Sequence, residues 1–170
     1  MKTSIRFLRP LSVVSVAATG AYEQTIPEAW DFLRELLDRH GVRAACKPVF
    51  ALLHDSPQGT RPEDRRLEMC AAVYNESRFI MRQEATLQTF TGGAYITQSH
   101  RGPHDALVGL FSGLYVSCSL DMNVVIDLKR PRVLVFSGDP VAVAVADEEL
   151  ETELCMPVIN SAPDRPRRAV

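Results

Sequence analysis

The sequence predicts an α+β fold, a tandem pseudo-symmetric repeat of strand, helix, strand and strand with antiparallel sheets and the helices on one face. Three observations lead to this prediction. The same order of elements can be read twice along the 170 residues. Residues 68–73 and 153–158 each carry a glutamate, an apolar residue, a cysteine and a closing valine in the same phase. The glycine turn at residues 19–22 has a counterpart at residues 101–104.

The first copy begins with a valine-rich strand over residues 11–18, which ends in the glycine turn. An amphipathic helix follows, because apolar residues recur at helical spacing until Gly41. Thr25 and Glu28 form a capping-box pattern at its expected start. Two further strands are predicted, at residues 48–54 and 67–73, joined by a polar hairpin loop at residues 55–65.

The second copy begins with a strand over residues 94–99, and Asp105 can cap the helix that follows. Gly109 and Gly113 weaken this helix, so we expect them to face a close neighbour, where a small residue permits tight packing. Two final strands are predicted, at residues 132–137 and 151–158.

We expect one domain over residues 1–160 and a flexible tail over residues 161–170, in which Pro163 and Pro166 prevent regular structure. Module one covers about residues 4–75, a connector about 76–90 with a strand around 78–81, and module two about 91–159.

Composition limits the functional classes. A net charge of −2 and a pI near 6.1 argue against nucleic-acid binding through this chain, which would need clustered lysine and arginine. No stretch is long enough to span a membrane. Lys2, Arg6 and Arg9 before residues 11–18 loosely imitate a signal peptide, but the apolar run is short and a strand explains it equally well.

Four cysteines, at positions 46, 70, 118 and 155, include no Cys-x-x-Cys pair and lie among apolar or small residues. They are typical of buried free thiols, and they favour a cytoplasmic location.

Alternation along the strands places Glu68 and Glu153 on the sheet face away from the helices. A cleft for a ligand can form there if the two modules lie side by side. The alternative for each glutamate is an ordinary solvent-facing carboxylate.

The chain resembles the gyrase-inhibitor-like (GyrI-like) small-molecule-binding domains, which also occur as effector-binding domains of bacterial transcription activators. The resemblance rests on the two glycine turns, Ile26-Pro27-Glu28-Ala29-Trp30, Gly92-Gly93-Ala94-Tyr95 and the closing strand of residues 151–158. It covers roughly residues 4–159. The family often has an aromatic residue where this chain has His104, and the helix-turn-helix of the regulators is missing, which implies a stand-alone member.

The resemblance implies that Glu153 lies at the floor of a pocket for hydrophobic, aromatic or cationic molecules of drug or toxin type. Two alternatives stay open. Some stand-alone relatives hydrolyse strained cyclopropane rings of DNA-alkylating natural products, for which Glu153 would direct water and Tyr95 would assist. An inhibitory interaction with a topoisomerase such as gyrase is the other alternative.

Further ligand contacts are expected from aromatic walls and from the pocket mouth. The candidates are Tyr22, Trp30, Phe50, Tyr95, Phe111 and Tyr115, with His104 at the mouth and Glu68 as a second carboxylate. Trp30 and Phe111 also fit apolar helix stripes, so core packing is their alternative role.

We expect neither a metal nor a cofactor. His100 and His104 are four residues apart, but Gly102 and Pro103 between them forbid the helix that would bring both imidazoles to one ion.

Overall fold

The structure, a computed structural model, describes residues 3–74, 85–120, 124–138, 140 and 150–159. The predicted strand around 78–81 and the predicted tail at 161–170 lie outside the described residues.

In the described ranges, nine strands and two α-helices follow one another in an order that confirms the predicted α+β tandem repeat. The first half contains β1 (Thr3–Leu8), β2 (Leu11–Thr19), α1 (Tyr22–Arg39), β3 (Val49–Leu53), β4 (Arg66–Ala72) and β5 (Thr86–Phe90). The second half contains β6 (Gly93–Arg101), α2 (Leu107–Leu120), β7 (Val125–Ile126), β8 (Arg132–Phe136) and β9 (Glu151–Ile159).

All strand pairs are antiparallel, and the strand order is β1-β6-β9-β8-β3-β4-β2-β5, with β7 paired to β9. The order is symmetric about the central β8–β3 pair. The set β6, β8 and β9 of module two corresponds to β2, β3 and β4 of module one, and the edge strand β1 corresponds to the edge strand β5.

The sheet must curl, because β1 and β2 are joined by only Arg9 and Pro10. In a flat sheet these strands would lie about 29 Å apart, at six spacings of roughly 4.8 Å. A connection of two residues spans at most about 11 Å. Thr91 and Gly92 impose the same limit between β5 and β6. The outer strands are therefore drawn together at one end, and the face opposite the helices becomes concave.

The two short connections meet at Gly92. Its φ is +67°, and a Cβ built there would collide with the Leu8 carbonyl oxygen and lie 2.8 Å from the carbonyl carbon of Arg9. Only glycine combines this backbone conformation with so close an approach.

The larger core lies between the sheet and the helices. One face of α1 is buried there, including Ile26, Trp30, Leu33 and Leu37. Residues at alternate positions of β4 and β9 pack against the helices, as the predicted strand alternation requires; they are Leu67, Met69, Ala71, Leu154, Met156 and Val158.

Two local expectations about the helices are wrong. Helix α1 begins at Tyr22, and the Thr25 hydroxyl donates to the Ala21 carbonyl at 3.0 Å within the first turn, so Thr25 is not the cap. Gly109 and Gly113 are exposed, and nothing lies within 4 Å of a Cβ added at either position. They therefore do not face a closely packed neighbour.

Candidate functional site

The concave face carries two rows of side chains that run across the central strands. In the first row Glu68, Leu52, Val133 and Cys155 are successive cross-strand partners. In the second row Cys70, Phe50, Val135 and Glu153 follow one another in the same way. The two glutamates thus lie at opposite corners of an apolar strip, about 16 Å apart by strand spacing and rise. Both were predicted on this face.

An aromatic cluster fills one end of the concave face. The ring centroids of Phe50 and Phe90 are 5.1 Å apart, and those of Phe90 and Tyr95 are 6.5 Å apart. These residues come from β3, β5 and β6, which the curl of the sheet brings together. Apolar side chains including Val13, Leu52 and Val133 complete this second core.

Tyr95 is fully buried in this cluster, and its hydroxyl donates to the Pro131 carbonyl at 3.5 Å. Burial raises the pKa of Tyr95 to about 12, against an opposing effect of the Arg130 guanidinium. Pro157 of β9 pairs with Tyr95 and is four residues from Glu153. Tyr95 therefore lies about 13 Å along the strands from Glu153, too far for both to act on one small bond.

Glu153 is paired with Arg6, a contact that no sequence pattern predicts. Arg6 Nη1 donates to both carboxylate oxygens at 2.7 Å, and the Glu153 side chain is 21% exposed. A cavity of about 450 Å³ lies beside the pair. Its lining consists of two arginines, two glutamates, a histidine, two serines and a threonine, so the cavity beside Glu153 is polar.

Glu68 has a different set of partners. Its Oε1 lies 3.1 Å from His54 Nε2, and its Oε2 accepts a hydrogen bond from Gln88 Nε2. The Gln88 amide nitrogen also lies 2.9 Å from the Ser15 hydroxyl. The Glu68 side chain is 25% exposed, which leaves it accessible from the concave side.

The other predicted ligand contacts lie on the helix side. Tyr22, Trp30 and Phe111 are buried in the larger core, and Tyr115 packs against it. His104 is also buried, with its ring 5.8 Å from that of Phe136. The sheet separates these five residues from Glu153, so they do not share a concave cleft with it.

Three residues of the concave face were not among the predicted site residues: Arg6, Gln88 and Phe90. Each belongs to β1 or β5, which were not predicted as strands. The alternation of Ile5, Arg6 and Phe7 was the available signal for β1.

The four cysteines are free and buried, as predicted. Cys70 and Cys155 lie on the concave face but belong to β4 and β9, which are separated by β3 and β8. Burial raises the pKa of both thiols, so they are poor nucleophiles.

Within the described ranges, no three His, Cys, Asp or Glu side chains are grouped so that they could hold a metal ion. The same part of the chain contains no helix long and apolar enough to cross a membrane.

Comparison with known proteins identifies a family. The GyrI-like family, described as a small molecule binding domain, matches residues 1–159. A search of curated proteins found no match.

Solved structures resemble this fold at low sequence identity. In a cryo-EM structure of an EcmrR–DNA complex, the TM-score is 0.75 at 17% identity, over 94% of this chain and 57% of that chain. The chain thus spans little more than half the length of that relative. A hydrolase from Listeria innocua gives a TM-score of 0.67 at 13% identity, over 93% of this chain and 92% of that one. SAV2435 bound to tetraphenylphosphonium gives 0.58 at 16% identity, over 94% of each chain. These likenesses support the fold.

Proposed function

The chain belongs to the GyrI-like family of small molecule binding domains, and from this premise we propose that residues 1–160 act as one domain that binds apolar, aromatic or cationic molecules on the concave face. One of the two glutamates of that face, Glu68 or Glu153, provides negative charge. The rings of Phe50, Phe90 and Tyr95 are at most 7% exposed, so they must part to admit the ligand and provide aromatic contact.

The observation that carries this proposal is the shared face of aromatic and acidic side chains. Phe50 and Glu68 belong to neighbouring strands and are diagonal neighbours, since Phe50 pairs with Cys70. Aromatic side chains within reach of a carboxylate favour a lipophilic cation, because ring faces and carboxylates both attract positive charge. SAV2435, which has the same fold, is bound to such a cation, tetraphenylphosphonium.

Isothermal titration calorimetry and thermal unfolding with tetraphenylphosphonium test the proposal. Saturable binding is expected, and at a free concentration 100 times the Kd the free energy of unfolding should rise by about 2.7 kcal/mol.

Phe50→Leu shortens the aromatic wall while keeping an apolar side chain, so it should weaken binding several-fold. Phe32→Leu, in the exposed part of α1, is the matched control and should bind like the wild type. The proposal fails if the wild type shows no saturable binding, or if both variants lose affinity equally.

A further inference from the structure

The pseudo-symmetry of the sheet makes Glu68 and Glu153 equivalent residues with different surroundings. Glu68 pairs with Ala17 of β2, and Glu153 pairs with Ser99 of β6, at corresponding positions. The residues around Glu68 can therefore be compared with those at the equivalent positions around Glu153.

Each edge strand places one side chain, from an equivalent position, against one of the two carboxylates. Arg6 pairs with Tyr95 of β6, and Gln88 pairs with Val13 of β2, which is the corresponding register. Arg6 donates to Glu153, whereas Gln88 donates to Glu68. One carboxylate thus has a permanent cation as its edge partner, and the other has a neutral amide.

The neighbouring strands add a second difference. Phe50 pairs with Cys70 in module one, and Val133 pairs with Cys155 in module two, so these two residues are equivalent. The diagonal neighbour of Glu68 is therefore an aromatic ring, and that of Glu153 is a valine. A ring face close to a carboxylate improves the site for a cation that carries apolar groups.

We propose that Glu68, rather than Glu153, is the carboxylate that recognises a lipophilic monocation such as a quaternary phosphonium or ammonium compound. This inference rests on the proposed function and identifies the residue that selects the charge of the ligand. Glu153 is already neutralised by Arg6, so a cation arriving there must displace the guanidinium. Among the described residues, the ion-pair partner of Glu68 is His54, and a histidine, unlike an arginine, is not a permanent cation.

Two ions of the same shape and opposite charge provide the test: tetraphenylphosphonium and tetraphenylborate. Their affinities are measured by calorimetry at pH 8.5, above the range in which imidazoles normally titrate. The ratio of the two affinities reports the charge preference of the site, since the apolar contacts of the two ions are matched.

The wild type should prefer the cation. Glu68→Gln should lower the affinity for the cation about tenfold or more, as expected for losing one charge in a partly buried site, and should remove the preference. Gln88→Arg should do the same while retaining Glu68, because it reproduces the Arg6 arrangement in module one. Arg6→Gln should increase the preference, since it frees the charge of Glu153. Glu35→Gln, in an exposed part of α1, removes the same charge elsewhere and should change nothing.

The outcomes separate the two proposals. If Glu153→Gln removes the preference and Glu68→Gln does not, the assignment to Glu68 is wrong and the proposed function stands. The same holds if the wild type binds both ions equally. If the wild type binds neither ion, the proposed function and the assignment fail together. Circular dichroism and thermal unfolding of each variant confirm that the fold is retained.

Discussion

The guanidinium of Arg130 lies over the ring of Tyr95, with its central carbon 5.0 Å from the ring centroid. The same group donates to the carbonyls of Gly92, Ala94 and Val158 at 3.2, 3.1 and 2.6 Å. It also pairs with Asp127 at 2.8 Å. Arg130 therefore joins β6, the end of β9 and the connection that precedes β6, and it covers the aromatic cluster.

Arg130→Met should destabilise the protein by about 3 kcal/mol or more, because three carbonyls lose charge-assisted hydrogen bonds at once. Arg101→Met is the matched control. Arg101 is exposed and 3.9 Å from Glu151, and such pairs contribute little. Urea denaturation of the two variants measures the difference. Equal stability would contradict a stabilising role for the hydrogen bonds of Arg130.

Alkaline pH should destabilise the fold through two buried tyrosines. Burial raises the pKa of Tyr22 and of Tyr95 to about 12, from an ordinary value near 10. The folded state favours the protonated phenol, so this stabilisation is complete below pH 10 and is lost as pH rises from about 10 to 12. Ionisation of each phenol should lower the free energy of unfolding by roughly 2–3 kcal/mol over that range.

Urea denaturation between pH 9 and 12 and absorbance at 295 nm measure this effect. Tyr95→Phe should reduce the pH dependence of the free energy of unfolding by about half, because it removes one of the two ionisations. Ionisation of both phenols near pH 10 in the folded protein would contradict the prediction.

Substitution by alanine should change the stability of the protein in opposite directions at Gly92 and Gly109. Gly92→Ala should destabilise by at least about 2 kcal/mol, since alanine at positive φ is strained and its Cβ meets the chain at Leu8 and Arg9. Gly109→Ala should stabilise by about 0.5–1 kcal/mol, because the site is helical and open. Thermal unfolding of both variants provides the check, and a loss of stability in Gly109→Ala would show that its surroundings are not open.

The pair of Arg6 and Glu153 should contribute little to stability although its contacts are short. The Arg6 side chain is 55% exposed, and exposed pairs are typically worth less than about 1 kcal/mol. A double-mutant cycle with Arg6→Gln and Glu153→Gln measures the coupling. A value well above that limit would assign the pair a structural role.

Elements whose pattern has a local cause could be predicted from the sequence. The apolar stripe of α1 and the alternation of β4 and β9 predicted which side chains meet the helices, and they placed Glu68 and Glu153 on the other face. Strands β1 and β5 were missed because they are edge strands with several exposed positions, and their pairing depends on distant partners. Arg6 is 147 residues from Glu153 in the sequence, and no local pattern predicts that contact.

Aromatic type alone could not assign a residue to a face. Trp30 and Phe50 were both candidates for ligand contact, but Trp30 belongs to the helix stripe and Phe50 to the concave side of β3. Alternation along the predicted strand of residues 48–54 would have distinguished Phe50 from Trp30. It places Phe50 on the face of the strand away from Val49 and Ala51.

The short connections at Arg9–Pro10 and Thr91–Gly92 mean that the two halves exchange their outermost strands. β1 lies at the start of the first half of the chain but pairs with β6 of module two, and β5 precedes module two but pairs with β2 of module one. Neither half is whole when taken from a continuous piece of chain. Removing the first eight residues would thus damage the distant half, by exposing the edge of β6 and freeing Glu153 from Arg6, while β2 keeps both of its neighbours.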